Sequence, residues 1–327
     1  MSVGVQNTER LPHPPDCHAC RTPESMIERL AVALLHLLSW LPLRLLHGLA
    51  VPLAWIMRFL PWRGRAVVRT NLKLCFPEMD AAGRERFYRR HLVQMMRLVL
   101  ESGAVWYWPG DRLQRHVRRV GGWEHVLRAA DRGKGVLLVG AHLGNWEILP
   151  LWISLQKPFT ALYKAPRQPG LDRRVTTSRQ RFGARLVASG SPAMRRLLAG
   201  LKRGELIGLL ADQQPKQGEG VFVDFFGQPA LTMTLVNRLA RRTGCAVIFA
   251  SAERLARGRG WHLRFEPAPP AIAADDPATG MAAMHHWLER EIERTPSQYL
   301  WSYKRFSRQP GGRPPPYPAR KRRSKQP

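Results

Sequence analysis

The sequence predicts an α/β fold: a central mixed β-sheet flanked by helices, preceded by an apolar, membrane-associating helical segment. Three observations predict it. From about residue 136 to 294, short apolar runs alternate with amphipathic stretches, the pattern of strand and helix in turn. The run Val-Leu-Leu-Val at 136–139 is apolar throughout, as a strand buried on both faces must be. Residues 26–62 are strongly apolar, with uncharged runs at 30–43 and 45–57 separated by Arg44.

Taken in order, residues 1–25 are polar and proline-rich and read as a disordered tail. They do not read as a signal peptide, because the apolar region starts late and lacks a small-residue cleavage site. Each apolar run in 26–62 is shorter than the roughly 20 residues needed to cross a bilayer, and Pro42 and Pro52 interrupt the pattern. One tilted span with Arg44 snorkelling, a helical hairpin, interfacial helices in one leaflet and a buried helix pair all fit. Membrane attachment is expected; a crossing is left open. Arg58, Arg63, Arg65 and Arg69 suit an anionic, cytoplasmic face.

An amphipathic helix then runs to Pro77, and residues 81–104 form another, with Phe87, Leu92, Met95, Met96 and Val99 on one face. Residues 111–119 read as an Arg-rich link, and 122–130 as a helix. Beyond the central strand, strands are expected at 159–163, 185–188, 206–210, 246–250 and 262–265. Helices are expected at 171–182, 192–203, 232–242 (N-capped by Thr232) and 281–294. One domain over 63–306 accounts for this pattern. A basic tail, 307–327, follows with seven Lys/Arg and no acid.

The 327 residues hold 52 Lys plus Arg against 24 Asp plus Glu, a net charge of +28, so polyanionic partners are expected. Zinc-finger spacing and RNP-like aromatic blocks are missing, which argues against nucleic acid. Eleven Trp lean towards a membrane interface. Four cysteines are too few and scattered for a disulfide framework, and Cys17-x-x-Cys20 has no second pair to complete a metal site.

The densest chemistry lies at Gly140-Ala141-His142-Leu143-Gly144-Asn145-Trp146-Glu147, where the two glycines bracket a turn and a helix follows with Asn145 as N-cap. Five residues along a helix is about 500°, or roughly 140° around its axis. His142 and Glu147 therefore meet only if the histidine precedes the helix and the acid reaches back from its first turn. A carboxylate holding one ring nitrogen leaves the other as a general base. A loop histidine and an acid favoured by the helix's positive end read equally well. No Gly-x-Ser-x-Gly elbow supports a serine nucleophile.

Ala141 to Glu147 resembles the signature of the bacterial lipid A biosynthesis late acyltransferases (lauroyl and myristoyl), within the glycerolipid and lysophospholipid acyltransferase superfamily with its His-x4-Asp/Glu motif. Further matches run in family order from about residue 58 to 306. They are Asn71-Leu72 then Phe76-Pro77-Glu78; Tyr163-Lys164-Ala165-Pro166; Arg179, Arg181 and Gly183; Asp212-Gln213; Gly220 to Ala230; and Trp301 with Arg305-Phe306.

The resemblance implies transfer of a fatty acyl chain from an acyl-carrier-protein or CoA thioester to a hydroxyl of an anionic lipid A precursor. The setting it implies is the cytoplasmic face of the bacterial inner membrane, with no metal or other cofactor. Implied catalytic residues are His142 and Glu147 as the general-base pair, with Asp212 orienting site groups. Implied substrate contacts are Asn145, Lys164, Arg167, Arg179, Arg181 and Gln213, with Phe222, Phe225 and Phe226 lining an acyl channel. Lys164 stands where the family has Arg and loses the bidentate fork, and Tyr303 stands near a usual His. A lysophospholipid, ornithine lipid or other glycolipid acceptor is the nearest alternative. A non-catalytic basic membrane binder and a hydrolase working on water are the others.

Overall fold

The computed structural model describes residues 26–164, 169–215 and 218–318. Arg167, the N-terminal tail with its cysteines at 17 and 20, and residues 319–327 lie outside the described residues. The first half of the chain runs α1 (Met26–Trp40), α2 (Leu43–Phe59), α3 (Gly64–Cys75), α4 (Ala81–Tyr107), α5 (Gly110–His116), β1 (Val117–Gly121), α6 (Trp123–Asp131) and β2 (Val136–Gly144). There follow α7 (Ile148–Gln156), β3 (Phe159–Tyr163), α8 (Pro169–Gln180), β4 (Arg185–Ala188), α9 (Ser191–Lys202) and β5 (Leu206–Leu210). A hairpin, β6 (Gly220–Phe225) and β7 (Gln228–Met233), precedes α10 (Leu235–Thr243), β8 (Ala246–Arg254), β9 (Trp261–Pro267) and α11 (Pro277–Arg294).

Seven strands form one sheet in the order β1-β9-β8-β2-β5-β3-β4. Five of them, β8 to β4, run parallel; β9 runs antiparallel to β8, and β1 parallel to β9. The sheet is therefore mixed. Its central strand is apolar on both faces because both are covered. Leu137, Val139 and Ala141 enter one core with residues of α3, α9, α10 and α11, including Leu72, Leu201, Leu239 and Leu288. Val136 and Leu138 enter the other with α5, α6, α7 and the end of α4, including Leu113, Val126, Ile148 and Trp108. Each such Leu or Val contributes about 1.5–3 kcal/mol of transfer free energy, which gives the carboxyl ends of the strands a rigid base.

Four expectations are corrected. The Arg-rich stretch 111–119 is not a link: it holds α5 and enters β1, whose Val120 pairs with Leu263. β1 is an edge strand with mostly exposed residues, so it carries charges where a buried strand would alternate apolar side chains. The aromatic segment 220–232, whose sequence reads as an apolar loop, is not one either. It forms the β6–β7 hairpin, turning at Phe226 and Gly227, whose φ values are +51° and +68°. Two positive φ values in a two-residue turn belong to a primed hairpin, but Phe-Gly lacks the Asn-Gly or Asp-Gly signature that announces one. Thr232 consequently lies buried in β7, and α10 starts at Leu235. On α4, Leu92 is buried as expected but Val99 is exposed.

At the N-terminus, α1 and α2 break at Leu41–Pro42 and both pack on α4. Among the described residues no single helix is long and apolar enough to cross a membrane; α2 with α3 meets the length and composition but bends by 95°.

Candidate active site

Strand periodicity places Leu138, Gly140 and His142 on one face of β2. The pairing of β2 with β8 shifts register between Gly140 and Gly144, so His142 sits on an irregular strand end rather than a free loop. Gly144 completes the bend at φ +64°, where a Cβ would lie 1.9 Å from the Ala252 carbonyl oxygen; glycine alone fits. Backbone bonds then clamp the turn. Asn145 N–H donates to Ala252 O (2.9 Å), and Leu300 N–H to His142 O (3.0 Å). This is the carboxyl end of the sheet's parallel strands, where α/β proteins place their chemistry.

Asp212 arrives from the end of β5, the neighbour of β2, and grips His142 twice. Its Oδ2 accepts from the His142 backbone N–H (3.1 Å), and its Oδ1 lies 2.8 Å from Nδ1. A carboxylate there draws the ring proton to Nδ1 and leaves Nε2 as the basic lone pair. Gln213 Nε2 lies 3.3 Å from that nitrogen and donates to it. Burial pushes the His142 pKa down, but the charge and hydrogen bond of Asp212, with the charge of Glu147, outweigh it and hold the pKa above its ordinary value. Burial raises Asp212, and its contacts with His142 outweigh that to hold it low. Tyr299 is buried beside Asp212, and burial first, then that negative charge, keep its phenol protonated.

The expected His142–Glu147 contact is thus replaced by His142–Asp212. Glu147 immediately precedes α7 and turns towards α8, where Arg179 meets it in a fork: Nε to Oε2 at 2.9 Å and the second nitrogen to Oε1 at 2.5 Å. The acid still acts on His142 through its charge. His142, Glu147, Lys164, Arg179 and Gln213 share one cavity of about 430 Å³. Its remaining wall is largely apolar, with Leu138, Leu149, Ile153, Phe159, Ala161 and Leu210. A second cavity, of about 350 Å³, lies at the opposite end of the strands around His125, Arg128 and Cys245, away from these groups.

Other expected contacts lie elsewhere. Asn145 is 1 % exposed, and its amide donates to Glu101 Oε2 (2.8 Å) rather than capping α7 or facing the cavity. Arg181 donates to the carbonyls of Trp108 and Val105 and ties α8's end to α4. Phe225 is core, Phe226 packs on Phe76 and Trp301, and Phe222 is exposed on the hairpin, so these three do not line the cavity. The Trp301–Phe306 block is structural: Asn71 donates to the carbonyls of Trp301 and Tyr303, and buried Arg305 to Leu231 O and Thr232 Oγ1. Among the described residues, no group of three or more His, Cys, Asp or Glu could hold a metal ion.

Glu101, Arg254 and Tyr299, which surround the turn, escaped the sequence reading. Glu101 had a signal: a lone acid in the otherwise apolar helical run 98–106.

The model of the bacterial lipid A biosynthesis acyltransferase family matches residues 16–308. The chain belongs to this family. It is 28 % identical over 297 residues to the lipid A biosynthesis lauroyltransferase of Escherichia coli (strain K12), covering 90 % of this chain and 96 % of that protein. It is also 28 % identical over 251 residues to the palmitoleoyltransferase of the same organism, 76 % of this chain and 81 % of the relative. A phosphatidylinositol mannoside acyltransferase of Mycobacterium tuberculosis (strain CDC 1551 / Oshkosh) is 26 % identical over 263 residues, 78 % and 82 %. The protein is an acyltransferase, and His142, with Asp212 as its carboxylate partner, lies at the head of its largely apolar cavity.

Proposed function

We propose that this acyltransferase moves a fatty acyl chain from an acyl-carrier-protein thioester to a hydroxyl of an anionic lipid A precursor, at the cytoplasmic face of the inner membrane. The observation that carries the reading is His142, fixed by Asp212 at 2.8 Å, at the head of a largely apolar cavity. The acceptor hydroxyl gives its proton to His142 Nε2 as its oxygen attacks the thioester carbonyl. The tetrahedral intermediate collapses by C–S cleavage, and the departing sulfur takes the proton back from the imidazolium. Asp212 stabilises that imidazolium, and general-base assistance of this kind is worth about 10²–10⁴ in rate. The acceptor hydroxyl takes Gln213's place on Nε2, so the freed Gln213 amide and Lys164 supply N–H donors on the cavity wall for the oxyanion. The apolar wall takes the acyl chain.

Membrane association is supported by the exposed stripe Leu30, Leu34, Leu37 and Trp40 on α1 and by Leu45, Leu49, Trp55, Ile56 and Phe59 on α2. A net charge of +28 suits both an acidic carrier and a phosphorylated lipid.

The test is mass spectrometry of purified protein incubated with acyl-carrier-protein thioester and a tetra-acylated lipid A precursor, beside His142→Ala. A gain of one acyl group, lost in the variant, is expected. An intact thioester and unchanged precursor would overturn the acceptor assignment. The mycobacterial relative makes a mannosylated phospholipid the second acceptor to assay.

A further inference from the structure

Behind the reacting face of the turn lies a carboxylate that the chemistry above does not use. Glu101 on α4 is fully buried, and its two oxygens take four donors. His47 Nε2 (2.6 Å) and Arg254 Nε (2.8 Å) reach Oε1; Asn145 Nδ2 (2.8 Å) and Trp261 Nε1 (3.4 Å) reach Oε2. The His47 tautomer is set from its other side, because Gly258 N–H donates to Nδ1 (2.9 Å) and leaves the proton on Nε2. Arg254 also approaches the Gly144 carbonyl at 3.4 Å. Residues from α2, α4, the His142 turn, β8 and β9 thus converge on one acid.

A buried ion pair is weak evidence for stability, since apolar side chains of similar volume hold a core as well or better. Buried polar networks fix one arrangement instead; here both Glu101 oxygens are engaged, while Asn145 joins through its NH2 alone and its buried Oδ1 takes no partner. Of the groups fixed here, Asn145 and Gly144 belong to the segment that carries the base. We infer that Glu101 is a positioning residue for acyl transfer: through Asn145, and with Arg254 through Gly144, it sets the turn that aims His142 Nε2 into the cavity. The inference rests on His142 being the base. It also ties that turn, through His47, to the helix whose outer face is bare and apolar.

The test uses full-length protein carrying Glu101→Gln, Asn145→Ala or both, with Trp261→Phe removing a donor from the same acid without touching the turn. Two quantities are read: kcat and KM, and amide hydrogen exchange of 140–149 against 206–210 on the adjacent strand. Each single turn variant should lower kcat by about tenfold or more, the scale of a sub-ångström misplacement, with KM nearly unchanged. The double variant should be no worse than the poorer single, because both remove one interaction. Exchange should rise in 140–149 and hold in 206–210, while Trp261→Phe lowers Tm and keeps kcat. A folded Glu101→Gln with wild-type kcat, multiplying effects in the double variant, or exchange rising equally in both segments would overturn the inference. If Glu101→Gln does not fold, Asn145→Ala decides by the same kcat and exchange criteria. Exchange needs no substrate, so a wrong donor or acceptor assignment leaves that arm intact.

Discussion

Two carboxylates grip the His142 turn, and their partners differ in kind. Glu101 faces Arg254, a permanent cation, and His47, both away from the cavity in a site closed to solvent. Asp212 faces His142, whose charge changes during proposed turnover and whose side chain is 17 % exposed at the cavity. Burial works against the charge of both acids, and in both the partners outweigh it. The first arrangement stays constant through a reaction cycle; the second strengthens when the imidazole takes a proton. Near-identical donor distances of 2.8 Å therefore serve different ends, and partner chemistry rather than geometry tells them apart.

The comparison can be broken at its strongest point first. Asp212→Asn leaves the turn's backbone in place but removes the charge and the tautomer control. A loss of up to about 10⁴ in kcat is expected, the drop seen when a base loses its orienting acid, with Tm little changed. Glu147→Gln should cost less, about tenfold in kcat, because it weakens the fork with Arg179 and a through-space charge rather than a bond to the base. Competition assays with mixed thioesters would show a subtler effect of Ala161→Leu, which fills part of the cavity wall: preference should move to shorter acyl chains with little loss on the short ones. Smallest of all, Phe222→Ser on the exposed hairpin should leave both kcat and chain preference unchanged. A marked change in chain preference there would restore the hairpin as part of the acyl channel.

Much of the sheet was legible. β3, β4 and β5 fall at the residues expected, because each is a short apolar run closed by turn or helix signals. β1 was hidden by its arginines and the β6–β7 hairpin by an unusual Phe-Gly turn. His142, Glu147 and Asp212 could each be picked out by residue type, but their pairing could not. Asp212 lies 70 residues from His142, and they meet because β2 and β5 are adjacent parallel strands, which no local spacing reports. The aromatic run 222–226 advertised apolar surface without saying which side of the hairpin it faced. Glu101's role needed four partners from distant segments.

The most direct measurement is the pH dependence of kcat/KM for wild type, Asp212→Asn and Glu147→Gln. The base works when neutral, so activity falls as pH drops through the His142 pKa, which lies above its ordinary value near 6.5. Removing Asp212's charge leaves burial to push that pKa down, so the acid limb of the residual activity should move to lower pH in Asp212→Asn, and move less in Glu147→Gln. An acid limb unmoved in Asp212→Asn but displaced in Glu147→Gln would contradict the account and make Glu147 the partner of the base.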